Sequence, residues 1–136
     1  MDTDHRFTDR EYLTTSQYRD GRNLRSRASL HDRFKTNPEP WYAWVFSHFH
    51  LPSSAAILDV GCGPGDLWSE ERDQIRPAWR LFLSDLSPGM VTEARQSLGS
   101  HQNITYLSFD AQDIPLPTAA FDAVIANHML YHVPDV

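Results

Sequence analysis

The feature that most constrains this chain is a group of glycines that directly follows a short apolar run. Residues 55–60 are apolar enough to form a strand buried on both faces, and they lead into Gly61, Gly63 and Gly65. Glycine allows the backbone to turn sharply and to approach a ligand with no Cβ in the way. A loop of this kind, between a strand and a helix, is typical of ligand-binding α/β sheets.

Apolar runs and helical segments continue to alternate along the rest of the sequence. We predict further buried strands at 80–84, 104–109 and 121–126 and a helix at 66–74. A second helix begins with Ser87 as its cap and Pro88 at its first position, and Gly99 ends it. This order predicts an α/β fold with a parallel, doubly wound sheet and right-handed crossovers.

The first 50 residues differ, since they are helical and rich in aromatic side chains. We predict a helix at 23–35, and another that starts at Pro40 and buries Trp41, Trp44, Val45 and Phe49 on one face. The chain thus divides into a helical lid, residues 1–53, and a ligand-binding part, residues 54–136. Because the sequence stops after the fourth strand, we expect a truncated sheet and self-association through that exposed strand.

An acid at the end of the second strand indicates what the loop binds. Asp85 follows Gly65 by twenty residues, and a carboxylate at that place accepts both hydroxyls of a ribose. Strand, glycine loop, helix, strand and acid occur in the order that an adenosine-containing ligand requires. The alternative is a glycine turn that only reverses the chain direction.

Two further acids bear on which adenosine ligand fits. Asp59 lies two residues before the first glycine, and Asp66 stands where the helix opens. Both would repel a pyrophosphate at the helix N-terminus, although Asp66 also suits a helix cap. An acidic environment favours a cation, and S-adenosylmethionine carries an ammonium and a sulfonium. The ligand is therefore expected to be an adenosine sulfonium.

Composition and charge limit which partners, which cellular location and which kinds of site are expected. A formal charge of -6 argues against a nucleic-acid partner, and no run of apolar residues approaches the length of a membrane span. The N-terminus has no secretory signal, and the single cysteine fits a reducing cytoplasm. No metal-ligand spacing and no hydrolase-type nucleophile arrangement is present.

Four segments together resemble successive motifs of a known family. They are LDVGCGPG (58–65), LSDLSPGMV (83–91), FDAQDIPLP (109–117) and FDAVIANHMLYHVPD (121–135). In order and spacing they resemble class I S-adenosylmethionine-dependent methyltransferases, most closely the branch that methylates small molecules and quinone or sterol-like lipids. The resemblance implies a Rossmann-like fold with an N-terminal helical lid, S-adenosylmethionine as cofactor and a small-molecule methyl acceptor.

The resemblance also implies roles for individual residues. The glycine loop would hold the methionine part and the adenosine, Asp59 would orient the ammonium directly or through water, and Asp85 would bind the ribose. The remaining implied contacts are to adenine from Leu86, Met90, Asp110 and Ala111, and to the region of the methyl group from Asn127. With Gly61, Cys62, Gly63 and Gly65, these complete the expected cofactor site.

The sequence constrains the catalytic group less than it constrains the cofactor-binding residues. His128 lies just after the fourth strand, at the edge where such sheets bind ligands, and is a candidate general base. His132 fits a structural position better. Two alternative functions stay open: a non-catalytic module that binds S-adenosylmethionine, and a nicotinamide-dependent oxidoreductase, which Asp59 and Asp66 oppose.

Overall fold

The computed structural model describes residues 5–135, so the extreme ends of the two predicted regions, residues 1–4 and 136, lie outside it. Four strands form one parallel sheet in the order β3-β2-β1-β4. Their bounds are β1 Ala56–Val60, β2 Arg80–Asp85, β3 Ile104–Ser108 and β4 Ala123–Ile125. This confirms the predicted parallel α/β sheet, with β1 paired on both sides.

Five α-helices accompany the sheet within the described residues. They are α1 Arg10–Tyr12, which runs on into a π-helical turn Leu13–Gln17, then α2 Arg22–Phe34, α3 Trp41–Ser47, α4 Asp66–Glu70 and α5 Pro88–Leu98. Short 3-10 turns occupy His5–Phe7, Arg72–Gln74 and Leu130–His132. The predicted helix at 66–74 therefore divides into α4 and a 3-10 turn. Helix α5 begins as predicted, because the Ser87 hydroxyl accepts a hydrogen bond from the Met90 N–H at 3.3 Å.

The core forms where aromatic side chains of α3 and α4 meet the central strands. Its buried members are Phe46, Ala55, Ile57, Leu67, Trp68, Trp79, Leu81, Leu83 and Leu98. Every residue of β1 is buried, which is the burial expected of a central parallel strand. The strand that leads into the glycine loop is thus the best-packed element of the sheet.

The exposed face of α3 differs from the prediction. Val45 and Phe49 pack against the core as expected, together with Tyr42 and Phe46. Trp41 and Trp44 instead stack on each other with ring centroids 5.1 Å apart and are 45% and 41% exposed. The helix is only seven residues long and apolar nearly all round, so its periodicity could not fix which face is buried.

The N-terminal segment, which was predicted to be a lid, lies against the first half of α5. The Ser87 hydroxyl donates to the Tyr18 carbonyl at 2.6 Å, and the Gly21 N–H donates to a Glu93 carboxylate oxygen at 2.9 Å. A Cβ at Gly89 would lie 1.9 Å from the Arg19 carbonyl oxygen, so only glycine allows this approach. Within residues 5–135 no helix is long and apolar enough to cross a membrane.

Candidate functional site

The glycine loop takes backbone conformations that other residues rarely adopt. Gly61, Gly63 and Gly65 have φ values of 74°, 56° and 81°, all in the left-handed region. A Cβ at Gly61 would lie 2.7 Å from Met129, and one at Gly65 would lie 3.2 Å from the Ala94 Cβ. Gly63 differs, since a Cβ there would make only an ordinary 3.5 Å contact with the lid. Packing therefore leaves little room for a side chain at Gly61 and Gly65, while at Gly63 the positive φ alone disfavours one.

The loop is fastened to the neighbouring strand by main-chain hydrogen bonds. The Ser84 carbonyl accepts from the N–H groups of both Gly61 and Cys62 at 2.8 Å, and the Ser84 hydroxyl donates to the Asp59 carbonyl at 2.8 Å. These bonds join the carboxyl ends of β1 and β2. They bring the glycines, Asp59 and Asp85 into one site, as the sequence predicted.

Asp59 is a buried carboxyl with one oxygen unsatisfied. It is 2% exposed, and its Oδ2 accepts a hydrogen bond from the Trp68 indole N–H at 2.8 Å. Its Oδ1 has no hydrogen-bond partner among the described residues. Burial raises the pKa of Asp59 to about 7, the Trp68 hydrogen bond opposes the rise, and nearby Asp85 adds to it. A buried, unpaired carboxylate oxygen is costly unless a donor or a cation reaches it.

Asp85 connects the glycine loop to the start of α5. Its Oδ2 accepts from the Gly63 N–H at 3.0 Å, and its Oδ1 accepts from the Ser87 N–H at 2.8 Å. Burial raises the pKa of Asp85, and these two hydrogen bonds act in the opposite direction. The carboxylate thus already orders the loop, and each of its oxygens has a lone pair left for another donor.

The remaining polar groups of the loop are unsuited to nucleophilic chemistry or to phosphate. Burial raises the pKa of the Cys62 thiol well above its usual value, and Asp59 and Asp85 raise it further, so this residue stays a neutral thiol. Asp66 occupies the first turn of α4, and burial raises its pKa as well. The first turn of α4 therefore carries a carboxyl, while its N-cap residue is Gly65 and not Asp66.

The family resemblance implied adenine contacts for several residues, and Met90 is the most buried of them. Its side chain is 1% exposed and lies on the buried side of α5. It belongs to the interior because helix periodicity places it in line with Ala94. Leu86 and Ala111 are partly buried and remain available at the edge of the sheet, and so does Asn127.

Asp110 is engaged by the lid. Its Oδ2 pairs with the Arg10 guanidinium at 2.7 Å, and its Oδ1 accepts from the Gln112 N–H at 2.9 Å. Arg10 also donates to the Gln112 side chain at 2.9 Å. Arg10 therefore ties the N-terminal segment to the loop after β3, which the sequence did not reveal because no spacing rule relates Arg10 to Asp110.

The two candidate histidines have different environments. His128 is exposed, has a φ of 56°, and its ring centroid lies 5.0 Å from that of Trp41. Both ring nitrogens of His132 are bonded: Nδ1 to the Phe7 carbonyl at 2.8 Å and Nε2 to the Tyr18 hydroxyl at 2.8 Å. Because a carbonyl only accepts, Nδ1 carries the proton and Nε2 accepts, which confirms a structural position for His132.

Two residues of the site were missed by sequence reasoning. Trp68 holds Asp59, and Met129 covers Gly61. An apolar residue within a helix or beside a strand is ordinarily read as core, so neither carried a distinguishing signal. For Trp68 the usable hint is that a buried indole N–H needs an acceptor.

Comparison with known proteins agrees with this geometry. A family model described as a methyltransferase domain matches residues 57–136. The ubiquinone biosynthesis O-methyltransferase of Xanthomonas axonopodis pv. citri (strain 306) is 41% identical over 86 residues, which are 62% of this chain and 35% of that protein. The malonyl-acyl-carrier-protein O-methyltransferase of Legionella pneumophila is 39% identical over 75 residues, which are 55% of this chain and 26% of that protein.

A solved structure supports the same assignment. The S-adenosylmethionine-dependent methyltransferase of Mesorhizobium loti superposes with a TM-score of 0.55 at 30% identity, over 69% of this chain and 43% of that one. The chain spans 26% to 35% of the length of the two curated relatives above. More than half of the chain matches the family model, and the order of its four parallel strands fits the Rossmann-like class I fold. The chain therefore belongs to the methyltransferase-domain family and carries its class I, Rossmann-like sheet.

Proposed function

We propose that this chain is the cofactor-binding part of an S-adenosylmethionine-dependent methyltransferase that acts on a small molecule. The observation that carries the proposal is the free Oδ1 of Asp59, a buried carboxylate oxygen at the start of the glycine loop. The ammonium of S-adenosylmethionine supplies the cation and the donors that this oxygen lacks. The residues present thus fit the cofactor.

The same acids oppose the dinucleotide alternative. A pyrophosphate on this loop would meet the Asp66 carboxyl in the first turn of α4, with Asp59 and Asp85 close behind the glycines. Helix N-termini bind phosphate through unpaired N–H groups and a positive field, and a carboxylate there cancels the positive field. A cationic ligand without phosphate meets no such repulsion.

The other contacts follow the order of the strands. We assign the ribose hydroxyls to Asp85, because each of its oxygens accepts one hydrogen bond within the chain and keeps a lone pair for a further donor. The adenine then lies toward the loops after β2 and β3, near Leu86, Asp110 and Ala111. Asn127 follows β4 and is assigned to the region of the methyl group. Met90, buried on α5, stays a predicted adenine contact.

The cofactor supplies a methyl group on a sulfonium leaving group, and the chain's task is to hold the acceptor in line and exclude water. His128 is the group placed to take a proton from an acceptor. It stands one residue before Met129, which packs on Gly61, and beside the exposed Trp41 ring. The named relatives are a ubiquinone biosynthesis O-methyltransferase and a malonyl-acyl-carrier-protein O-methyltransferase, and we infer a small-molecule acceptor from the first of these.

Self-association and a cytoplasmic location both remain predictions. Strand β4 pairs with β1 and, among the described residues, with no other strand, and its Val124 is exposed. This is the geometry from which we expect self-association through β4. A cytoplasmic location is likewise expected from the single, unpaired cysteine.

The direct test of the proposed function is a calorimetric titration with S-adenosylhomocysteine and, separately, with NAD. S-adenosylhomocysteine shares the adenosine and the ammonium but cannot react, so binding is measured without turnover. We expect it to bind at least about tenfold more tightly than NAD, a difference of about 1.4 kcal/mol. Equal affinity, or tighter binding of NAD, would refute the cofactor assignment.

A further inference from the structure

The indole of Trp68 is bonded to the acid on which the cofactor assignment depends. We propose that Trp68 is a positioning residue, which holds one oxygen of Asp59 and leaves the other free for the cofactor's ammonium. The inference rests on the proposed function, since it concerns the same ligand. Trp68 touches the acid through its Nε1–H at 2.8 Å and would not touch the cofactor itself.

Trp68 is held firmly enough to orient a carboxylate. It is fully buried, and its main-chain N–H donates to the Gly65 carbonyl at 3.1 Å, which ties it to the end of the glycine loop. Its ring meets Phe46 edge-on with centroids 5.5 Å apart and lies 6.2 Å from Phe49. Phe46 lies in α3, and Phe49 lies two residues after the end of that helix. The N-terminal segment therefore fixes the indole. The indole in turn fixes the Asp59 carboxylate.

The hydrogen bond also favours the charged form of the acid. The ionisable groups that act on this carboxyl or feel its charge are Asp85 on β2, Cys62 in the loop and Tyr42 on α3. None of them is a cation, and the pKa values of Cys62 and Tyr42 are raised, so both are neutral at pH 7. Trp68 is therefore the group that favours the ionised form against burial. A carboxylate is what an ammonium needs.

The variant Trp68→Phe removes the N–H and keeps an aromatic ring. Without this donor, nothing among the groups named above opposes the effect of burial on the acid. The pKa of Asp59 should then rise further, and a smaller fraction of it should be ionised at pH 7. We expect S-adenosylhomocysteine to bind about five- to fiftyfold more weakly at pH 7, with most of the loss recovered by pH 8.5.

A second ligand separates positioning from general damage. 5′-Methylthioadenosine keeps the adenosine and the thioether but has no ammonium, so its affinity should change by less than about twofold. The matched control is Trp79→Phe. Trp79 is buried in the same core and donates its indole N–H to the Pro52 carbonyl at 2.9 Å, away from Asp59. This control should leave the ratio of the two affinities, and its pH dependence, unchanged.

The outcomes distinguish the two proposals. If the unaltered chain binds S-adenosylhomocysteine no better than NAD, the proposed function fails, and the role of Trp68 fails with it. If the unaltered chain binds normally but Trp68→Phe weakens both ligands equally, or neither, only the role of Trp68 is refuted. Should Trp68→Phe not fold, NMR of the unaltered chain decides. The Trp68 indole N–H resonance should titrate near pH 7 and shift with S-adenosylhomocysteine, and a resonance constant through both would overturn the proposal.

Discussion

Replacing Asp59 by asparagine is expected to stabilise the ligand-free protein at alkaline pH while it weakens cofactor binding. The pKa of Asp59 is raised from 3.8 to about 7, so the folded chain retains a proton that the unfolded chain has lost. Between those values the folded state binds more protons, and its stability falls as the pH rises. Above the folded pKa the full cost of the buried charge is present. Because asparagine cannot ionise, the variant should not lose this stability as the pH rises.

Denaturant unfolding at pH 5 and pH 8.5 measures the effect. Each pH unit between 5 and about 7 contributes about 1.4 kcal/mol, so the gain in unfolding free energy from Asp59→Asn should be about 2–3 kcal/mol larger at pH 8.5 than at pH 5. The cost of burying the asparagine amide is the same at both pH values, so it cancels in this comparison. A gain independent of pH would show that Asp59 is not a buried ionisable group. S-adenosylhomocysteine should bind at least about tenfold more weakly to this variant, and 5′-methylthioadenosine should bind as before.

Asp85→Asn is expected to weaken the adenosine end of the same ligand. An amide keeps one acceptor but turns an N–H₂ toward either the Gly63 or the Ser87 N–H, so the loop loses one of its hydrogen bonds as well as the charged ribose acceptor. Losing hydrogen bonds to a charged group costs about 1.5–3 kcal/mol, or roughly ten- to hundredfold in affinity. Calorimetric titration should show this loss for S-adenosylhomocysteine and for 5′-methylthioadenosine alike.

The two ligands distinguish this result from the Asp59 variant, which should affect only the one with an ammonium. Asp113→Asn is the control, because Asp113 is exposed in the loop after Asp110 and should alter neither affinity. The fold of Asp85→Asn should persist, since the residue stands at the carboxyl end of β2 and is only partly buried. Unchanged binding in a folded Asp85→Asn chain would disprove the ribose assignment.

The sheet was predictable because each of its signals is local. An apolar run before glycines, a serine and a proline that open α5, and Gly99 after it each define one end of an element. The crossover rule adds the handedness of the connections but does not fix the order of the strands. Helix α3 was predicted in place but with the wrong exposed face, because its residues Trp41, Trp44 and Phe46 are equally apolar and only the core decides which are buried.

The inner part of the site was predictable and its surroundings were not. Glycines and an acid at fixed spacing from a strand must meet at the carboxyl edge of a parallel sheet, as Asp59, Gly63 and Asp85 do. The contacts of Trp68 with Asp59 and of Arg10 with Asp110 depend on how the helices pack over that edge. No pattern in the sequence encodes such pairs. Met90 stays a predicted adenine contact, since it is buried on α5 and a helix face alone does not tell a core side chain from one that meets a ligand.

A crystal structure of the chain with S-adenosylhomocysteine tests the central claim most directly. We predict that the ammonium lies on Asp59 Oδ1, directly or through one water, and that both ribose hydroxyls lie within hydrogen-bond distance of Asp85. The Trp68 indole should still occupy Asp59 Oδ2. A ligand bound with its ribose away from Asp85, or with its amino group away from Asp59, would contradict the proposed cofactor site.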